Sequence, residues 1–240
     1  TSWSEPKLAV QAPGYFVLNN DRVIQTSSGR LIMPLAFHRQ RGASTTDHSS
    51  FDGRAIAIWY YSDDEGNSWR EADEWWALPM KTRTGMQEPG VVELSNGHLM
   101  SWARTDQRFQ YACISTNDGK SWSAPEPTTL RSPVSPATIE RIPGTSELLA
   151  VYNDVSSVDS KDERKRTPLV SAISKDNGKT WINHKRLESN PDGWFCYTAM
   201  EFVDDFVLLA YCAGDKNETL NTGLNRTRIR RVPLSFLAGQ

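Results

Sequence analysis

The chain is poor in cysteine, in long apolar runs and in any excess of one charge. Its three cysteines, Cys113, Cys196 and Cys212, are an odd number without metal-type CxxC spacing, which argues against a disulfide framework while allowing a single bridge. No apolar run approaches the roughly 18 residues a membrane helix needs, and the first residues lack a basic, then apolar, signal pattern. No segment is expected to span a bilayer. Lysine and arginine number 27 against 29 acidic residues, so no whole-protein field would recruit nucleic acid or anionic lipid. An anionic ligand would have to be held by local charge. The histidines, His38, His48, His98 and His184, are scattered without ligand spacing, so neither a zinc site nor any other cofactor is expected.

Tryptophan, by contrast, is abundant. Nine tryptophans beside 15 glycines and 13 prolines favour a turn-rich β protein over a helical one. One phrase recurs three times: Ser62-Asp-Asp-Glu-Gly-Asn-Ser-Trp69, Ser115-Thr-Asn-Asp-Gly-Lys-Ser-Trp122 and Ser174-Lys-Asp-Asn-Gly-Lys-Thr-Trp181, all of the form S-x-[D/N]-x-G-x-[S/T]-W. Thr1-Ser2-Trp3-Ser4 reads like the tail of a further copy whose first half lies upstream. The spacing of these tryptophans is close to the roughly 40–50 residues of one propeller blade, plus insertions. In each phrase the short Asp or Asn side chain can bond its own backbone two residues on, and the Gly permits a positive φ. The phrase is therefore a self-clasped hairpin turn, and its tryptophan is an apolar plate to bury between sheets.

Between the boxes each unit has the same order of three strands. The predicted strands are Phe16–Gln25, Arg30–His38 and Ala55–Tyr61, then Gly90–Leu94, His98–Arg104 and Gln110–Ser115, then Ala137–Ile142, Leu148–Asn153 and Thr167–Ser174. A last unit, Cys196–Phe202, Phe206–Cys212 and Arg226–Val232, ends without a box. Trp75–Met80 is the one stretch that reads as a short helical turn. The fold class is all-β, a single β-propeller domain over residues 1–240. Four units and a half-box suggest either part of a larger ring lacking its N-terminal blades, which we prefer, or a four-bladed ring with irregular closure.

In an antiparallel meander, the start of strand one, the end of strand two and the start of strand three lie at one end of the sheet, and the boxes lie at the other. Asn19, Asn20, Glu88, Ser135 and Tyr197 precede or open first strands. His38, Arg104 and Asn153 close second strands, and Arg54, Arg108, Arg166 and Arg228 open third strands. All are expected to rim one mouth. Several arginines, a carboxylate and a tyrosine gathered there can bind a compact anion near the axis. The alternating basic run Arg226-Thr-Arg-Ile-Arg-Arg231 reads as a strand with one exposed face, not as a nucleic-acid site. The cysteines fall on predicted strands and read as small buried hydrophobes.

The box phrase, Gln87-Glu88-Pro89-Gly90-Val91-Val92-Glu93-Leu94 followed by Trp102-Ala103-Arg104-Thr105, Arg166-Thr167-Pro168-Leu169 before a box, and Cys196-Tyr197-Thr198 together resemble sialidases of the Asp-box (BNR-repeat) type. The resemblance runs over nearly the whole chain. It implies a six-bladed parent propeller that removes terminal sialic acid from sialylated glycans with retention. Such enzymes use three arginines for the sugar carboxylate, a tyrosine nucleophile activated by a glutamate, and an aspartate as acid/base. By position it assigns Tyr197 as nucleophile, Glu88 as the activating carboxylate, and Arg104 and Arg166 as two of the arginines. Asn19, Asn20, Arg22, Ser135 and Asn153 are the further substrate-binding candidates. A guanidinium fork matches a carboxylate bidentately and keeps its charge. A neutral phenol avoids the repulsion that a carboxylate nucleophile would meet from an anionic sugar. The family's first arginine and its acid/base aspartate are expected upstream, since Asp21, Asp47 and Asp52 sit in no matching motif. An export signal, if the protein is secreted or periplasmic, would lie there too. A carbohydrate-binding propeller without turnover, and a glycosidase or lyase acting on another acidic sugar, are the alternatives.

Overall fold

The computed structural model describes residues 2–41, 50–156, 164–217 and 223–239. Its strands fall into four separate antiparallel sheets, the blades of a propeller, each contributed by one consecutive stretch of chain. Blade one holds β1 (Tyr15–Val17), β2 (Ile24–Gln25), β3 (Leu31–Gln40), β4 (Phe51–Ser62) and β5 (Arg70–Glu71). Blade two is β6 (Gln87–Glu93), β7 (Leu99–Arg104), β8 (Phe109–Ser115) and β9 (Glu126–Arg131). Blade three is β10 (Thr138–Arg141), β11 (Leu148–Asn153), β12 (Leu169–Ser174) and β13 (Ile182–Glu188). Blade four is β14 (Gly193–Val203), β15 (Phe206–Asp215) and β16 (Thr227–Pro233), followed by a short helix, α1 (Leu234–Ala238).

The core lies between the blades. Trp59, Val91, Leu99 and Trp122 join blades one and two, and Trp102, Ile139, Leu148 and Trp181 join blades two and three. Phe195, Val207, Leu149 and Ile173 join blades three and four. This is why β11 and β12 are buried along their whole length while β13, at the outer edge, alternates between exposed and part-buried residues.

Each box folds as a clasp, but the bond closes four residues on instead of two. Asp64 Oδ1 accepts the Ser68 amide at 2.8 Å, Asn117 Oδ1 the Ser121 amide at 2.9 Å, and Asp176 Oδ1 the Thr180 amide at 2.8 Å. The leading serine completes each turn by accepting the glycine amide, as in Ser174 Oγ from Gly178 at 2.8 Å. Gly119 has φ +80, a backbone conformation that favours glycine, and a Cβ there would stand 2.6 Å from Ile32 Cδ1 and push that side chain aside. Trp122 and Trp181 are buried between blades, Trp69 is partly buried, and Trp3 is fully exposed.

Three expectations need correction. The segment Trp75–Met80 is not helical: Trp76 exchanges backbone bonds with Ala57 on the open edge of β4, which satisfies its amide and carbonyl without a helix. The expected strand Phe16–Gln25 is split into β1 and β2, with residues 18–23 standing out from the sheet between them. Finally, a further strand follows every box. β9 carries Pro127 and β13 is polar along one face, so neither has the apolar alternation that marks a half-buried strand, and edge pairing alone recruits them.

The inner strands of blades two and four are bulged at equivalent places. Gln87 stands opposite Arg104 and Gly90 opposite Trp102, so Glu88 and Pro89 together face Ala103. Cys196 stands opposite Cys212 and Ala199 opposite Ala210, so Tyr197 and Thr198 together face Tyr211. Glu88 and Tyr197 both adopt positive φ, 49° and 57°. Gly90 allows the turn back into register, because a Cβ there would meet the Trp102 ring at 2.4 Å.

Candidate active site

The two bulges bring Glu88 and Tyr197 together although 109 residues separate them in sequence: the Tyr197 hydroxyl donates to Glu88 Oε1 at 3.2 Å. Arg104 Nη2 donates to the same oxygen at 2.8 Å, and both side chains of this pair are almost wholly buried, at 12% and 11% exposed. A bulge lifts a residue out of the pleat and re-aims its side chain, here toward the axis. The left-handed backbone of a non-glycine residue costs about 1–3 kcal/mol at each position, and it persists only where the surroundings over-determine it.

Arg166 enters from the loop before β12. Its guanidinium lies 5.3 Å from the Trp194 ring centroid and 5.8 Å from that of Tyr197, within cation–π range of both. Its Nη1 donates to Ser135 Oγ at 3.3 Å, and the Ser135 hydroxyl in turn donates to Asn153 Oδ1. Asn153 is anchored by donating to the Pro168 carbonyl at 3.2 Å. Ser135 and Asn153 thus fix the direction of Arg166, at 1% exposure each.

Burial, and after it the Glu88 charge, holds the Tyr197 phenol above its ordinary pKa against the pull of Arg104 and Arg166. Tyr197 is therefore a neutral donor to Glu88 at neutral pH. Burial likewise lowers the Arg166 guanidinium below its usual value. Several buried polar atoms have no hydrogen-bond partner among the described residues: Glu88 Oε2, Arg104 Nε, Arg166 Nε, Arg22 Nε and Asn19 Nδ2. Four of them belong to charged groups, an arrangement that is costly unless something polar meets it.

The segment that stands out between β1 and β2 supplies the remaining candidates. Asn20 Nδ2 donates to the Tyr197 carbonyl at 3.4 Å. Arg22 is 2% exposed and donates to the Ala137 carbonyl at 2.7 Å and to Thr138 Oγ1 at 3.4 Å, with Trp102 5.5 Å away. Burial lowers it to about 10, opposed by the charges of Glu88, Asp21 and Glu140, so it remains a cation at neutral pH. Both Nη atoms of Arg22 are engaged by residues at the start of blade three.

Other residues expected at the mouth have partners of their own. His38 Nδ1 pairs with the Asp52 carbonyl at 2.9 Å. Arg54 and Arg41 both bind the Asp52 carboxylate, which they hold well below the ordinary range, so Asp52 stays ionised and is no proton donor. Arg228 pairs with Glu188 at the outer side of blade four. In the same basic run Arg231 lies over the Phe206 ring, 3.3 Å from its centroid. Asp47 and His48 lie outside the described residues, as do residues 161–163 of the charged stretch before Arg166. Sequence reasoning did not single out Thr138, Thr198, Trp194 or Glu140. Of these Thr198 stands in the motif Cys196-Tyr197-Thr198 without a role of its own, and Trp194 lies two residues before that motif.

No curated protein matches the chain in sequence. Among solved structures it is similar to a point mutant of the NanB sialidase from Streptococcus pneumoniae, with a TM-score of 0.65 and 18% identity over 89% of this chain and 30% of that one. The intramolecular trans-sialidase from Ruminococcus gnavus, in complex with oseltamivir carboxylate, gives a TM-score of 0.66 and 19% identity over 94% of this chain and 46% of that one. The Trypanosoma rangeli sialidase with 2,3-difluorosialic acid, described as a covalent intermediate, gives 0.61 and 18% over 89% of this chain and 30% of that one. The chain spans less than half the length of each of these structures, and the likeness at such identity is one of fold. The profile of the BNR repeat-like domain matches residues 1–208, and the chain belongs to the BNR repeat-like family.

Proposed function

We propose that this chain carries four of the six site residues of a sialidase-like exo-glycosidase that removes a terminal acidic sugar, sialic acid or a relative, from glycans with retention. The observation that supports it best is the shared oxygen: Glu88 Oε1 accepts from the Tyr197 hydroxyl at 3.2 Å and from Arg104 at 2.8 Å. In this reading Tyr197 Oη attacks the anomeric carbon as the bond to the aglycone oxygen breaks, its proton passing to Glu88 while the acid/base aspartate protonates the leaving oxygen. Water, deprotonated by that aspartate, then displaces the tyrosine, which takes its proton back from Glu88. Arg104 and Arg166 hold the sugar carboxylate, with Ser135 and Asn153 orienting Arg166. Asn19 and Asn20 offer polar contacts at the rim, and Arg22 adds positive charge. The acid/base aspartate and the third arginine are assigned to blades preceding blade one, in a larger ring. No metal or organic cofactor is required.

The test is hydrolysis of a fluorogenic sialoside by the intact parent. Tyr197→Phe and Glu88→Gln are each expected to lower turnover by on the order of 10²–10⁴-fold. Undiminished turnover in both removes the mechanism. A second reading, a carbohydrate-binding propeller without turnover, needs only the guanidinium groups, and is supported by the buried Nε atoms of Arg104 and Arg166 that have no hydrogen-bond partner among the described residues. Sialic acid binding by the intact parent without hydrolysis would select it.

A further inference from the structure

We infer that Asn20, Asp21 and Thr138 are positioning residues, a three-point clamp that holds the Tyr197 bulge in its left-handed conformation and so sets the contact between Tyr197 and Glu88. The bulge removes Tyr197 and Thr198 from the ladder between β14 and β15, where Cys196 and Ala199 are the flanking paired residues. Backbone polar groups stripped of their strand partners must be satisfied elsewhere. Here the replacements come from two other blades. Asn20 Nδ2 donates to the Tyr197 carbonyl at 3.4 Å and Thr138 Oγ1 to the Thr198 carbonyl at 2.6 Å, and just past the bulge, where Met200 again stands opposite Leu209, Asp21 Oδ2 accepts the Met200 amide at 3.0 Å and pins the strand.

Thr138 is the centre of the clamp. It is 2% exposed, its partner Thr198 is 3% exposed, and its Oγ1 also accepts from Arg22 Nη1 at 3.4 Å. The hydroxyl therefore links the protruding segment of blade one to the bulge of blade four through β10. Asp21 itself has φ 57, so the clamp is strained as well as the residue it holds. A non-glycine residue at positive φ relaxes when its surroundings loosen. Loss of the clamp lets Tyr197 return toward an extended backbone, which swings the phenol away from Glu88 and into water.

The inference deepens the proposed function and rests on it only for the effect on turnover. Its own test is the titration of Tyr197 in the intact protein, read as the phenolate difference spectrum between each background and the same background carrying Tyr197→Phe. The groups facing the phenol are Glu88 from β6, Arg104 from β7, Arg166 before β12 and Cys196 on its own strand. Thr138→Val keeps the shape and removes the hydroxyl. It is expected to move the Tyr197 titration down toward the ordinary phenol range, because burial and Glu88 are what raise it. Thr138→Ser is expected to restore the original titration. On a sialoside the Thr138→Val parent should lose kcat by on the order of tenfold to a hundredfold with KM within about threefold, the mark of misplaced chemistry rather than lost binding. An unchanged titration in the double variant Thr138→Val, Asp21→Ala overturns the clamp, as does a serine variant as altered as the valine one. Should the double variant not fold, hydrogen exchange of the unaltered protein decides: a Met200 amide that exchanges like an open one overturns the clamp, and a protected one supports it. A parent inactive on sialosides removes the proposed function and leaves the titration result standing.

Discussion

The clasps at one end of the blades and the mouth at the other obey opposite rules. Each clasp repeats the same two bonds: a carboxylate or amide oxygen accepts from the backbone amide four residues on, and a serine hydroxyl accepts from a glycine amide. Every bond is local, so each turn can close without help from another blade. The mouth repeats only a backbone bulge, at Glu88 and Tyr197, and no side-chain pattern. Glu88, Arg104, Arg166, Ser135 and Tyr197 come from three blades, two of them on strained bulges, and among the described residues they leave charged groups with buried atoms unpartnered. The clasp tryptophans Trp122 and Trp181 also have unpartnered indole nitrogens, but those are neutral. Consistency of local rules marks what makes the fold, and its breach marks the candidate site.

The sharpest way to break the comparison is to exchange the consequences of the two ends. Tyr197→Phe should abolish nearly all sialoside turnover in the parent while shifting its melting temperature little, since the ring and its packing remain. Trp122→Ala should do the reverse: it removes a plate that stacks on Trp59 at 4.5 Å, and a loss of about 3–5 kcal/mol in denaturant unfolding is expected without a specific effect on the Tyr197 titration. Equal effects of both variants on stability would erase the distinction.

A smaller effect lies beneath the mouth. Burial, followed by the charge and hydrogen bond of Asp21, raises the Glu140 carboxyl to about 8. The folded protein holds a proton there that the unfolded chain releases at ordinary glutamate pKa, so stability should fall as pH rises from that range to about 8 and level off above it. Glu140→Gln should flatten this slope in melting temperatures measured across pH. Smallest of all, Asp176→Ala at one clasp should cost about 1 kcal/mol in the same unfolding assay, because two hydrogen bonds to Thr180 disappear and water replaces them at an exposed turn.

Much of this molecule was legible in its residues. The order of strands within each unit follows from alternation and turn signals, and Leu148–Asn153 has the same bounds as an expected strand and as β11. Glu88, Arg104, Arg166 and Tyr197 lie at one end of their blades, as meander order alone requires of the starts of first and third strands and the ends of second strands. The outer strands β9 and β13 were invisible, since an edge strand needs only backbone pairing and carries no apolar pattern. Arg22, expected only as a substrate-binding candidate, is a buried cation tied to Ala137 and Thr138. Nothing near it in the chain marks that burial, because the groups that enclose it belong to blades two and three.

The residues by themselves determined the repeat, the clasps and which side chains share an end, because those depend on neighbours within a few positions and on the twofold alternation of strands. Tertiary structure alone decided that Glu88 and Tyr197 leave their ladders, that one carboxylate oxygen receives both a phenol and a guanidinium, and that Thr138 reaches the bulge. Those contacts join atoms from separate blades across the axis, where distance is fixed by the packing of whole sheets and no local pattern encodes it.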